Sequence, residues 1–133
     1  MINVFRHGSL VMQNLGDSTT PHTGCVLFGT VHGAIGLVTQ LPQDFFEFLQ
    51  DLQKRLNRVI KSVGRIDHAE WRSFFNDKKT EDCEGFIDGD VIESFLDLDR
   101  VVMDEVAAGL QQTDSSGMKT TVGVEDVSYY TIL

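Results

Sequence analysis

Apolar residues in the stretch 42–63 recur at steps of four and three: Phe45, Leu49, Leu52, Leu56, Val59/Ile60 and Val63. That spacing lays one continuous stripe along a single side of an α-helix. Pro42 suits the first turn, where its missing N–H costs nothing, and Asp44 and Glu47 lie near the positive end of the helix dipole. Asp51 has Lys54 and Arg55 in reach at i+3 and i+4 on the wet side. Gly64 suits the left-handed residue just past a helix end, so the helix is expected to stop there.

Residues 1–40 follow a different pattern. INVFR, SLVMQ, GCVLFGTV and AIGLVTQ are short apolar or β-branched runs separated by turn-forming residues, which predicts a meander of three or four antiparallel strands. The two His-Gly pairs suit tight turns, because glycine accepts positive φ. The run Cys25-Val26-Leu27-Phe28 is apolar on both faces, as in a sheet covered on both sides. One helical hairpin could cover one face and leave the other wet, and open edges on such a sheet invite pairing. Radially repeated blades, as in a β-propeller, solve both problems by stacking sheets against one another. Residues 1–40 are therefore expected to be the end of something larger, and a sheet that starts almost at Met1 fits that expectation.

From residue 41 onward the chain reads as helical, so the fold class is α+β with a boundary near 40. Ile66-Asp67-His68-Ala69-Glu70-Trp71 carries a capping box, Asp67 with Glu70, and a hydrophobic staple, Ile66 with Trp71. The helix it opens is expected to reach about Phe75 and to bury Trp71, Phe74 and Phe75, with a charged loop over 76–84. At Asp88-Gly89 the device recurs: Asp88 caps a helix through Leu96, with Ile87 facing Ile92 and an apolar side of Val91, Ile92, Phe95 and Leu96. Asp67, Glu70, Trp71, Asp88 and Gly89 are thus given structural roles. A further helix is expected over 100–110, capped by Asp99, with Met103, Val106, Ala107 and Leu110 inward. Residues 113–117 read as a turn or linker. Over 124–133 a helical start, Val124-Glu125-Asp126-Val127, runs into the β-branched and aromatic YYTIL, and the two signals conflict.

Composition narrows the function. A chain of 133 residues with 41% hydrophobic positions can bury a modest core as one domain, or as a small domain with an appendage. No apolar run is long enough to cross a membrane, and the N-terminus lacks the order of a secretory signal. Cys25 and Cys83 have no neighbours at metal spacing and are too few for a disulfide framework, so a reduced, intracellular chain is expected. The formal charge of −9 opposes gripping a phosphate backbone. It is uneven: eight of the eleven Lys and Arg fall in 54–79, and ten of the twenty acids fall in 81–105. Such polarity fits solvated, complementary faces or docking on a charged partner.

Candidate chemistry is thin. Arg6-His7-Gly8 after a strand is the arrangement of a phosphohistidine phosphatase, with His as nucleophile and Arg on the phosphate. Three residues are a weak match, and HG is better read as a turn. Asp88-Gly89-Asp90 fails as a calcium loop, because position five is Ile92 and the glycine comes too early. His7, His22, His32 and His68 are mutually isolated, so no metal pair is read. Gly24, Gly29, Gly33 and Gly36 do not open a helix as a dinucleotide fingerprint would. Lys54, Arg55, Arg58, Lys61 and Arg65 form a basic helix face that is solvated, or meets an acidic partner. No catalytic residue, cofactor or metal is assigned, and the chain reads as a scaffold.

The runs INVF-HGSLVMQNLG, VLFGTV-G-IGLVT, RLN-VIKSVG, WRSF, KTE, GFIDGD-IESFLD and SGMK resemble the C-terminal end of the large adaptors of RING ubiquitin ligases built on the fourth cullin. These adaptors belong to a propeller scaffold family that also holds the large subunit of the polyadenylation cleavage factor and a splicing scaffold. The likeness runs from Ile2 to about Lys119. It implies that residues 1–40 are the last strands of a seven-bladed β-propeller, incomplete here, and that 41–133 form the helical domain packed between propellers. It implies a non-catalytic adaptor, in nucleus and cytoplasm, acting in DNA damage repair and protein ubiquitination. Substrate-receptor proteins would be its partners, and Asn3 and Val31 fall at positions that line the receptor cleft. The cullin would be held only by a middle propeller outside this chain. DNA in that family is bound by a partner subunit, so no direct DNA contact is expected. The pattern departs from the family at Met1 and after about Asp126, where VSYYTIL replaces a charged amphipathic run, so both ends look cut or mis-spliced. The alternatives are a sister scaffold of polyadenylation or splicing complexes and, more remotely, the small phosphatase on Arg6 and His7.

Two outcomes follow from the pattern. Residues 1–40 should fold poorly by themselves, and sharp, protected amide signals from an isolated peptide of that segment would contradict this. Trp71→Ala, which removes a staple and a large ring, should cost about 3–5 kcal/mol in a urea titration of the chain.

Overall fold

The computed structural model describes residues 1–8, 25–60, 64, 66, 70, 74–75, 78–79, 85–113 and 116–132. The chain divides into two compact units, Met1–Gln43 and Asp44–Leu133.

The first unit is a three-stranded antiparallel sheet in the order β1 (Ile2–His7), β2 (Val26–Thr30) and β3 (Ile35–Val38). β1 pairs directly with β2: Phe5 lies opposite Phe28, Arg6 opposite Leu27 and His7 opposite Val26. His7 is therefore the last residue of β1, and the residues that would complete a turn after His7-Gly8 lie outside the described ones. The backbone of residues 4–7 pairs in step with β2, and Gly8 N–H donates to the Cys25 carbonyl at 3.2 Å. The expected SLVMQ strand and the polar loop after it lie outside the described residues. Phe28 also stands opposite Gly36 of β3, and its ring occupies the space a Cβ on residue 36 would need. A glycine strand position covered by a cross-strand ring is a close approach that no larger residue permits.

The second unit is built on α1 (Gln43–Val59). Its stripe of Phe45, Phe48, Leu49, Leu52 and Leu56 is buried, with Leu52 and Leu56 completely so. The helix ends at Val59, short of the expected 63, although Ile60 N–H still reaches the Leu56 carbonyl at 2.8 Å. The β-branched pair Val59-Ile60 favours leaving helical geometry. Gly64 does adopt the left-handed conformation, at φ +74°, but it does not close α1.

Asp67 and Trp71, and with them the capping box and staple, lie outside the described residues; Glu70 is helical. Phe74 and Phe75 are not helical. They form β4 (Phe74–Phe75), paired antiparallel with β5 (Lys78–Lys79), where a helix end and a charged loop were expected. An aromatic pair favours extended backbone once a cross-strand partner is present.

Asp88 occupies the N-cap of α2 (Gly89–Glu93), and its carboxylate accepts from Asp90 N–H at 3.1 Å. α2 tightens into a single 3₁₀ turn, Ser94–Asp97, so the expected helix through Leu96 changes pitch partway. Val91, Ile92 and Phe95 are buried. α3 (Arg100–Ala107) starts at Asp99, whose carbonyl accepts from Met103 N–H at 2.9 Å, but whose side chain makes no capping bond. The Asp99 cap expected from the sequence is thus a backbone cap. α3 ends at Ala107, before the expected 110, with left-handed Gly109 (φ +72°) turning the chain. Leu110 is fully buried beyond the helix.

Two short strands that the sequence did not announce, β6 (Gln111–Thr113) and β7 (Lys119–Thr121), pair as a hairpin on either side of the span read as a turn or linker. Buried Leu110 and Val122 close its base, through a bond from Val122 N–H to the Leu110 carbonyl at 3.0 Å. The conflict in the tail resolves as α4 (Val124–Ile132). Asp126 reaches back to Gly123 N–H at 3.1 Å, and Val127 is fully buried. The hydroxyls of Ser128 and Thr131 donate to the Val124 and Ser128 carbonyls, so both bond within the helix. α4 packs on α2, the 3₁₀ turn and α3. Packing of one anchored face outweighs the intrinsic β preference of the segment.

Arg55 on α1 ties these pieces together. Its Nη1 donates to the carbonyls of Val106 and Ala108 at 3.2 and 2.6 Å, and its Nη2 to that of Gly109 at 3.3 Å. Its Nε donates to Asp51 at 3.1 Å. A cation thereby caps the negative end of α3 and satisfies carbonyls the helix leaves open. Arg55 is thus half-buried and engaged with the end of α3, which sets it apart from a freely solvated or partner-facing basic stripe. Arg55→Ala should lower the stability of the chain by about 1.5–3 kcal/mol, the range for bonds to a charged group. Arg55→Lys should recover only part of it, because a single ammonium cannot span three carbonyls. Urea midpoints of the two variants check this.

Candidate functional site

The residues singled out for partner binding, Asn3 and Val31, are far apart in sequence, and the sheet register decides where they lie. Ile2 pairs with Thr30 and Val4 with Gly29, so Asn3 is one extra residue on β1 with no counterpart on β2. This is a β-bulge, a device that re-aims side chains at the rim of a sheet. At the same rim, β2 turns into β3 through Val31-His32-Gly33. Thr30 N–H donates to the Ala34 carbonyl at 2.8 Å, and Gly33 N–H donates to the Thr30 carbonyl at 3.1 Å. The Thr30 hydroxyl oxygen accepts from Ala34 N–H at 3.1 Å. Gly33 sits at φ +83°, the left-handed residue that closes a three-residue hairpin loop. Val31 N–H donates to the Met1 carbonyl at 3.1 Å, which fixes the loop against the start of β1. Asn3 and Val31 are therefore brought to one end of one sheet, both exposed, Val31 by 54%.

Both faces of this sheet are apolar. Strand alternation and the register put Phe5, Val26, Phe28 and Val38 on one face, and Val4, Leu27, Ile35 and Leu37 on the other. Phe5 is 60% and Ile35 74% exposed, and Val4, Leu37 and Val38 are also exposed. Clustered apolar exposure of this kind marks a surface that packs against something else.

The same alternation separates Arg6 from His7. Arg6 lies on the face of Leu27 and Leu37, His7 on that of Val26 and Val38. A nucleophile and a phosphate-binding group on opposite faces of a sheet do not converge on one phosphoryl group.

In the second unit, Asp44, Glu47 and Asp51 on α1 face Lys119 of β7 across an open groove of about 220 Å³. No group of three His, Cys, Asp or Glu among the described residues is placed to hold a metal. Asp88 is engaged as a helix cap, and Gly89 is the first residue of α2, next to open space. Cys25 is a free thiol, its Sγ 3.6 Å from the Thr39 hydroxyl. No helix among the described residues is long and apolar enough to cross a membrane.

Sequence patterning pointed to an apolar sheet but missed the bulge that redirects residue 3. A bulge has no composition signal of its own; only the count of residues against the partner strand reveals it. The bonding of Arg55 to the end of α3 was equally hidden, since a basic residue at i+4 from an acid reads the same on a solvated face.

An antiparallel sheet with two apolar faces, joined in one chain to a capped helical unit, defines an α+β protein. The chain belongs to the CPSF A subunit region family, whose sequence model matches residues 1–97. It is similar to DNA damage-binding protein 1 of Drosophila melanogaster, at 58% identity over 126 residues, covering 95% of this chain and 11% of the relative. Over 109 residues, 82% of this chain and 10% of each relative, it is 52% identical to DNA damage-binding protein 1 of Solanum lycopersicum. DNA damage-binding protein 1b of Arabidopsis thaliana is 51% identical over the same shares. The chain thus spans about a tenth of the length of the curated relatives it matches.

Because Ile35 is exposed in this chain, Ile35→Ser should change its unfolding free energy by no more than about 0.5 kcal/mol, the ordinary range for a surface substitution. Chemical denaturation of the pair checks this. A loss of 2 kcal/mol or more (about the value of burying one such side chain) would mean that the face is covered.

Proposed function

We propose that the chain is part of a non-catalytic adaptor of cullin-RING ubiquitin ligases, acting in DNA damage repair and protein ubiquitination in nucleus and cytoplasm. The observation that carries this reading is the sheet of residues 2–38, apolar on both faces with Asn3 and Val31 at one rim. Residues 1–40 serve as the last strands of a seven-bladed propeller, where neighbouring blades cover both faces and close the edges. The rim that holds Asn3 and Val31 lines a cleft for substrate-receptor proteins. The helical unit from 41 onward is the clamp between propellers. Its role is geometric: receptors are held so that their substrates face the ubiquitin-transfer end. A cullin is engaged only through a middle propeller outside this chain, and DNA only through a partner subunit. The relatives named for DNA damage binding, all above half identity, support this reading over a polyadenylation or splicing scaffold.

The test uses the intact cellular protein that contains this segment, tagged and immunoprecipitated, with the intact mass and co-purifying proteins read by mass spectrometry. The expected result is a polypeptide several times larger than this chain, with a cullin and receptor proteins bound. The double substitution Asn3→Ala with Val31→Asp should then reduce receptor recovery about tenfold or more, as loss of a central contact does, and leave the cullin in place. Cleavage or splicing factors in place of a cullin would favour the sister scaffold. Unchanged receptor recovery would remove Asn3 and Val31 from the cleft.

A further inference from the structure

We draw no further inference here: the strongest candidate, the two exposed apolar faces of the β1–β2–β3 sheet, belongs to the surface already described, and nothing in the structure shows any other molecule that would cover it.

Discussion

The guanidinium of Arg55 is the contact on which the helical unit depends. It leaves α1 one turn after Asp51, and that carboxylate holds its Nε in place. From there it reaches the carbonyls of Val106, Ala108 and Gly109 at the end of α3, some fifty residues later in the chain. A helix end that turns sharply at Gly109 strands several carbonyls, and without water or a donor each carries a desolvation cost. One planar fork with several N–H groups answers them together. One turn of the same helix also carries Gln53, whose side-chain oxygen accepts from Asp88 N–H at 2.7 Å. α1 thereby fixes the start of α2 with one side chain and the end of α3 with another. Its apolar stripe supplies the core between them. By contrast the Arg100 contacts to Asp104 and Glu125 are exposed at both ends and contribute little.

The sheet poses the opposite problem. Its backbone is paired and its turn is closed, yet its side chains face outward in both directions. Each large apolar side chain left wet forgoes about 1.5–3 kcal/mol that burial would supply. In the propeller proposed above, neighbouring sheets against both faces would supply that gain. In that proposed propeller the bulge at Asn3 and the loop at Val31 have a use, since the rim of a stacked sheet stays open to a partner. Membership of the CPSF A subunit region family, with curated relatives about ten times longer, is consistent with a segment of that kind.

Much of this was legible in the residues. The α1 stripe, the apolar two-faced character of Val26 to Phe28, the left-handed Gly33 and Gly64, and the inward set of Val91, Ile92, Phe95 and Val106 follow from spacing and residue type. Errors fell where two local signals compete. Val59-Ile60 carries both helical period and β-branching, and the helix ended early. Phe74-Phe75 fits a helix face or a strand, and pairing with Lys78-Lys79 made it a strand. The strands on either side of the turn or linker read at 113–117 went unforeseen, because each is three residues long and polar, too short for any period to show.

The sequence by itself determined the local elements whose period is long or whose glycine admits one conformation, together with the family, since both are properties of neighbouring residues in order. Tertiary structure alone decided three matters: that Asn3 and Val31 share a rim, that Arg55 serves the end of α3, and that residues 129–132 enter a helix. Each depends on residues distant in sequence. Register between strands sets the first, and a carbonyl cluster brought within 3.3 Å sets the second. Burial of Val127 against α2 and α3 sets the third. Such pairings are settled by which combination satisfies the most backbone groups and removes the most apolar surface from water, and that sum exists only in the folded chain.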